Sequence, residues 1–238
     1  MKTEIIRFIQ LFSFVSVVIP LIAYLTSIKK APKQHHFIGA LILISGLTDL
    51  SFYLRIYTSP MLSNLYSIMQ FGIITGFYYN VVYKKRAGLA MSILIGVYVA
   101  ILLFSLINYG IRENLTFLWA VGSLIIAIHC LSYVFNVNSM VLDRYFDIHL
   151  LSNVIFNTTF FGYGTMTFFI FLLTNIVFSN HDAETIDAFW SLHNIINILK
   201  NIGFAIGFYY IGKREIYMTL SQLEEIAQRL REEEMLEQ

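Results

Sequence analysis

Five residues, His193, Asn194, Asn197, Lys200 and Asn201, carry most of the polar chemistry in an otherwise apolar stretch from about Ala188 to Gly212. They recur at steps of three and four, so on a helix they form a single stripe. The stretch is long enough to cross a bilayer, and Lys200 falls near the middle of the crossing. An ammonium at that depth costs roughly 2.5–3.5 kcal/mol on insertion scales, so it is expected to face protein or water. A group placed like this can anchor a ligand, take part in proton movement, or pair with a buried carboxylate.

Asp49 is the carboxylate placed to be that partner. It lies in Leu47-Thr48-Asp49-Leu50-Ser51, well inside a second apolar segment, with Ser45 on the same face. At about 1.5 Å of rise per residue, its depth matches that of Lys200 on a helix running the other way. A lone buried charge neutralises itself or finds a partner, so Asp49 and Lys200 are expected to pair, directly or through water. Two readings of the pair stay open: a switch or ligand anchor, and a contact that only sets helix register.

Gln70 and Tyr66, with Asn153 and Asn157, add uncharged polar groups inside apolar segments. Such residues commonly hold membrane helices together, at about 0.6 kcal/mol each. Added to the 193–201 stripe, their number favours a hydrated pocket. The ligand-binding or switch set read from the sequence is thus Asp49, Gln70 and Asn157, with His193, Asn197, Lys200 and Asn201 from the stripe. His129 and Cys130 read as packing residues, His35-His36 as surface residues of a basic loop, and Arg55 as a snorkelling side chain. No His-x-x-x-His, carboxylate pair or serine–lysine dyad appears at useful spacing, so neither an enzyme nor a cofactor is expected.

The elements that must position these residues follow from composition and periodicity. Of 238 residues 57% are hydrophobic and 13% charged, against about 45–50% and about 25% in soluble domains. The mean hydropathy is +0.67. That profile belongs to an all-α, polytopic membrane bundle, and a net charge of +1 gives no support for nucleic-acid binding. The single cysteine, Cys130, permits no intrachain disulfide.

Apolar runs of helical, membrane-crossing length place helices near 5–28, 37–57, 62–83, 89–109, 115–137, 151–178 and 188–212. The first is too long for a signal-peptide core and is read as retained. The basic clusters Lys29-Lys30/Lys33, Lys84-Lys85-Arg86 and Lys213-Arg214 fall on one side of seven crossings. The opposite loops hold Arg112 as their one base. The positive-inside rule then puts the N-terminus outside and the C-terminus in the cytoplasm.

Pro20 is expected to kink the first helix, and Gly162/Gly164 to soften the sixth. Gly72-x-x-x-Gly76 and Gly203-x-x-x-Gly207 are close-packing patterns, the second continuing the Lys200 stripe. Many of the 21 phenylalanines and 15 tyrosines sit near helix ends as an interfacial belt, Tyr24, Tyr78, Tyr79 and Tyr209 among them. Phe160, Phe161 and Tyr163 read either as packing or as the wall of an apolar site. The loop 138–150, with Asp143, Arg144, Asp147 and His149, reads as solvated. Asn114-Leu115-Thr116 has the form of a glycosylation sequon.

Residues 1–212 therefore form the membrane domain and 213–238 a cytoplasmic tail. In the tail, Ile216, Leu220, Leu223, Ala227 and Leu230 repeat at steps of four and three over about two heptads. It reads as either a solubilising helix or a signalling stalk able to pair with a second copy or another partner.

The run Lys200-Asn201-Ile202-Gly203-Phe204-Ala205-Ile206 resembles the retinal-lysine helix of microbial rhodopsins, which implies Lys200 as an attachment site. The pattern departs at Ile196, where that family has an acid, and at Gln70, where its third helix has a carboxylate. Over its whole length the chain resembles the seven-helix membrane sensor regions that precede bacterial histidine kinases. It shares their helix count, outward polar pocket and helical tail leaving the last helix. That resemblance implies a receptor in the bacterial inner membrane that takes a small ligand or a membrane cue and signals through its last helix. A transporter or channel using Asp49 and Lys200 as a proton- or ion-coupled site is the alternative.

Overall fold

The computed structural model describes residues 2–53, 60–83, 88–141, 148–180 and 183–213. Arg55, the loop residues Asp143, Arg144 and Asp147, and the tail from Arg214 onward lie outside that set. The described residues form eight α-helices and no strand: α1 (Lys2–Ser16), α2 (Val18–Ser27), α3 (His35–Tyr53), α4 (Pro60–Tyr78), α5 (Gly88–Tyr109), α6 (Thr116–Val141), α7 (Ile148–Asn180) and α8 (Ala183–Gly212). A π-helical turn, Tyr79–Tyr83, extends α4. There the Asn80 side chain donates to the Gly76 carbonyl at 2.8 Å, the oxygen that the Asn80 amide would take in an ordinary α-turn.

Among the described residues, five segments are long and apolar enough to cross a membrane: Glu4–Ser27, Leu89–Tyr109, Thr116–Phe135, Leu151–Thr174 and Phe189–Gly212. The first spans α1 and α2 together. The other two rods expected to cross, α3 and α4, are 19 residues each and are not among the five. They carry Ser45, Thr48 and Asp49, and Asn64, Tyr66 and Gln70, respectively.

α1 and α2 part at Val17, three residues before Pro20. Proline has no N–H to donate to the Ser16 carbonyl, and its ring crowds that oxygen. No break accompanies Gly162 and Gly164, since α7 runs unbroken through both. Gly164 is instead a packing site, where a Cβ would come within 3.0 Å of the Ser123 carbonyl on α6.

The helices close into a ring. The α1–α2 rod packs on α3, α3 on α4, α4 on α6, α6 on α7, α7 on α8, and α8 back on α1 and α2. α5 stands outside it, against α6 and the π-turn, with Ile107 and Leu89 among its exposed side chains. Where α7 and α8 meet, a Cβ on Gly203 would run into Thr159 and one on Gly207 into the Phe156 ring. The other glycine pair divides: Gly76 lies against Phe37, whereas Gly72 faces open space.

One half of the ring is filled. Phe77, Tyr78, Phe156, Phe160, Phe204 and Phe208 are buried together there, with ring centroids 5.0–5.8 Å apart in pairs such as Phe156–Phe208 and Phe77–Phe160. This is the end bearing the Lys29–Lys33 loop, and Lys30 Nζ donates to the Gly212 carbonyl at 3.1 Å, a cation on the C-terminus of α8. The expected tyrosine belt is thereby split. Tyr79 and Tyr209 are exposed, but Tyr24 and Tyr78 turn inward. Phe160, Phe161 and Tyr163 also separate, into the core, the outer surface and the other half of the ring.

Candidate functional site

The half of the ring away from the Lys29–Lys33 end is hollow. On α8 the reason is visible residue by residue. Leu192, Ile195, Leu199, Ile202 and Ile206 are exposed on the outer face, which turns the polar stripe inward. Lys200 is only 3% exposed and Asn201 2%. An apolar face toward lipid and a polar face toward protein is the arrangement that leaves no charge in hydrocarbon.

His193, Asn194 and Asn197 line a cavity of about 740 Å³. α3 contributes Ser45, Thr48 and Asp49, and α4 contributes Ser63, Tyr66 and Gln70. Trp119 and Ser123 come from α6, Tyr163 and Phe171 from α7, and Trp190 from the upper part of α8. The cavity runs from the level of Ser63 and Trp190 down to that of Gln70 and Asn197, about 10 Å at the helical rise. The loop before α6 stands at its upper end, held by Asn64. Asn64 Nδ2 donates to the carbonyls of Ile111 and Glu113 at 2.8 and 2.7 Å, and its Oδ1 accepts from the Leu115 amide at 3.3 Å.

Of the residues read from the sequence, Asp49, Gln70, His193 and Asn197 come together on this cavity. Lys200 lies one turn below Asn197. Its Nζ donates to Asn197 Oδ1 at 3.1 Å and stands 4.7 Å from the centre of the Tyr163 ring, a cation–π distance. The expected direct pairing of Lys200 with Asp49 is not made among the described residues; the hydrogen bond of Lys200 goes to Asn197.

Asn201 is drawn out of the cavity. Its Nδ2 donates to Ser16 Oγ at 2.8 Å, and that hydroxyl donates to the Ser13 carbonyl at 2.6 Å. Asn157 belongs to the filled half, where its Oδ1 accepts the Tyr78 hydroxyl at 2.8 Å. The same hydroxyl lies 3.0 Å from Cys130 Sγ, and His129 stacks on the Tyr78 ring. These contacts make His129 and Cys130 packing residues and Tyr78 the centre of their cluster.

His35 corrects the surface reading. It is fully buried, with Nε2 2.7 Å from Asn153 Oδ1 and its ring beside Phe77 and Phe156. As the first residue of α3 it points into the ring, while its neighbour His36 faces out and meets the Tyr24 hydroxyl at 3.0 Å.

The floor is built of hydroxyls and amides. The Tyr66 hydroxyl lies beside Ser45 and Tyr163. Gln70 faces Tyr163, but its Nε2 has no hydrogen-bond partner of its own. One wall is aromatic. Trp119 meets Phe171 edge-on at 5.3 Å, Phe171 lies 5.5 Å from His193, and Trp190 meets His193 edge-on at 5.8 Å.

Sequence reasoning missed α1. Arg7, Gln10 and Ser13 all line the cavity, and their spacing of three was the available signal for a polar stripe on a helix otherwise taken as plain anchor. No family model, curated protein or solved structure matches this chain.

Proposed function

We propose that the chain is a seven-span membrane receptor, N-terminus outside and C-terminus in the cytoplasm, that binds a small ligand in this cavity and signals through α8. The observation that carries the reading is the division of the ring into a hollow polar half and a filled aromatic half, with α8 running through both. In the upper half α8 supplies His193, Asn194 and Asn197 to the cavity. In the lower half it supplies Phe204, Phe208 and Ile211 to the core and ends at Gly212, just ahead of the tail. A shift of α8 at the ligand is passed down a rigid rod, because packed cores resist continuous deformation.

Orientation follows from the basic loops. Lys30 and Lys213 lie at the filled end, and the positive-inside rule assigns that end to the cytoplasm. The cavity then faces the exterior. α3 and α4 complete the seven spans, their polar residues turned toward the cavity.

The test loads the cavity through a tether. Ser63, at its upper end, is replaced by cysteine and reacted with a benzyl thiosulfonate; Cys130 is fully buried and does not compete. Spin-labelled residues in place of Leu25 on α2 and Tyr209 on α8 then report the separation of the two helices by pulsed EPR. A shift of about 1–2 Å or more on loading is expected, the scale of interface helix movements. An unchanged distance would rule out signalling through α8.

The transporter reading rests on Asp49 as a cavity carboxylate able to exchange a proton. Under it, uptake into vesicles depends on pH, and Asp49→Asn abolishes that uptake.

A further inference from the structure

The charges on the cavity walls name a ligand class. Among the described residues that line it, Asp49 on α3 is the one acid and Arg7 on α1 the one permanent base. Neither makes an ion pair with another described residue. Asp49 accepts no side-chain hydrogen bond among the described residues, and the Lys200 ammonium donates to Asn197. Trp119, Phe171 and Trp190 form an apolar wall of the same cavity.

A simple cation on Asp49 would be opposed by Arg7 and by Lys200 beneath the floor. A simple anion on Arg7 would leave the carboxylate without a direct partner. A molecule carrying both charges satisfies both walls, and charge-assisted hydrogen bonds at each end hold it in one orientation. The volume, about 740 Å³, lies within the range of about 300–1,000 Å³ usual for small-molecule sites.

We infer that the cavity takes a small zwitterion with an apolar or aromatic body, its ammonium on Asp49, its anionic oxygens on Arg7 and its body against Trp119, Phe171 and Trp190. The inference rests on reading the cavity as a ligand site. The same chemistry is offered by a free amino acid and by the headgroup of phosphatidylethanolamine, and the experiment separates these sources.

Both tryptophans of the chain, Trp119 and Trp190, line the cavity, so tryptophan emission reports its occupancy without a label. The full chain is placed in phosphatidylcholine nanodiscs and titrated with L-phenylalanine, its amide (a cation) and its N-acetyl form (an anion). Excitation is at the red edge, where the probes do not absorb. L-phenylalanine is expected to give a saturable emission shift, with both blocked forms at least about tenfold weaker, the loss of one charge-assisted hydrogen bond. Arg7→Gln closes the gap to the amide, and Asp49→Asn closes the gap to the N-acetyl form. Arg7 is exposed, so its variant tests the idea even if Asp49→Asn fails to fold.

Should the source be lipid, emission in phosphatidylethanolamine nanodiscs is already shifted and phenylalanine adds nothing there; this outcome also supports the zwitterion. An amide or N-acetyl form that binds the wild type as well as L-phenylalanine overturns the inference, as does the absence of a saturable or lipid-dependent change with any probe. Zwitterion-selective emission without movement of α8 removes the receptor reading and leaves this inference standing. Movement of α8 on tethered loading, without charge selectivity, does the reverse.

Discussion

Asn201 Nδ2 donates to Ser16 Oγ at 2.8 Å, and through that hydroxyl α8 is fastened to the point where the first span breaks. Ser16 stands four residues before Pro20, so its backbone carbonyl lacks an ordinary helical donor. Its side chain instead links two helices directly beneath the cavity. The bond joins the two elements whose relative position a ligand would have to alter, α1 on the cavity wall and α8 leading to the tail.

Replacing Asn201 by leucine removes this link and leaves Ser16 with only its local bond to the Ser13 carbonyl. The expected loss is about 0.6–1.7 kcal/mol, the span measured for interhelix hydrogen bonds in membranes. Unfolding in mixed detergent micelles measures it. A variant as stable as the parent would show that the bond contributes nothing to holding α1 in place.

Asp49 and Lys200 carry opposite charges in the same half of the ring, with no hydrogen bond between them among the described residues. Lys200→Met and Asp49→Asn should each destabilise the fold, and the double variant by less than the sum, with a coupling of about 0.5–3 kcal/mol. A double-mutant cycle on unfolding free energy reads the term directly. Additive effects would mean that the two charges do not share a field.

Gly207→Ala sets a methyl against the Phe156 ring where α7 and α8 pack. Overpacking of this kind costs about 1–3 kcal/mol. Gly72→Ala serves as the control, because nothing stands within 4 Å of its Cβ position. There the gain in helix propensity, up to about 1 kcal/mol, should leave the protein as stable as before or slightly more so. Equal losses at both sites would remove the claim that the α7–α8 contact depends on a missing side chain.

His35→Ala takes away the partner of Asn153 Oδ1 in a buried setting, at an expected cost of about 1–3 kcal/mol. His36→Ala, one position along, gives up a single part-buried contact with Tyr24 and should cost about 1 kcal/mol or less. Thermal unfolding of the two variants side by side decides whether the inward histidine is the structural one.

Much of this architecture was legible in one dimension, because a bilayer imposes a simple rule. Apolar runs of crossing length must become helices, since lipid satisfies no backbone hydrogen bond. The expected segments accordingly fall on the rods observed, and an apolar face interrupted every third or fourth residue showed that the 193–201 stripe turns inward. The break of the first span was equally readable, because Pro20 has no amide hydrogen whatever surrounds it.

The same pattern could not say which inward residues share a space. Depth along a helix follows from counting, but lateral neighbours depend on which rods close the ring. Asn197 and Asn201 sit one turn apart on one face, yet the first lines the cavity and the second binds Ser16. Asn157 looked equivalent to Gln70 and instead meets Tyr78 among packed rings. His35 looked like part of a basic surface loop, and only the position of α7 gives it Asn153. The sequence alone determined that the chain folds into apolar helices and that the 193–201 face is polar, since those depend on local composition. Tertiary structure alone decided that one half of the ring is filled and the other hollow, since that depends on side chains from six different helices meeting at the same depth.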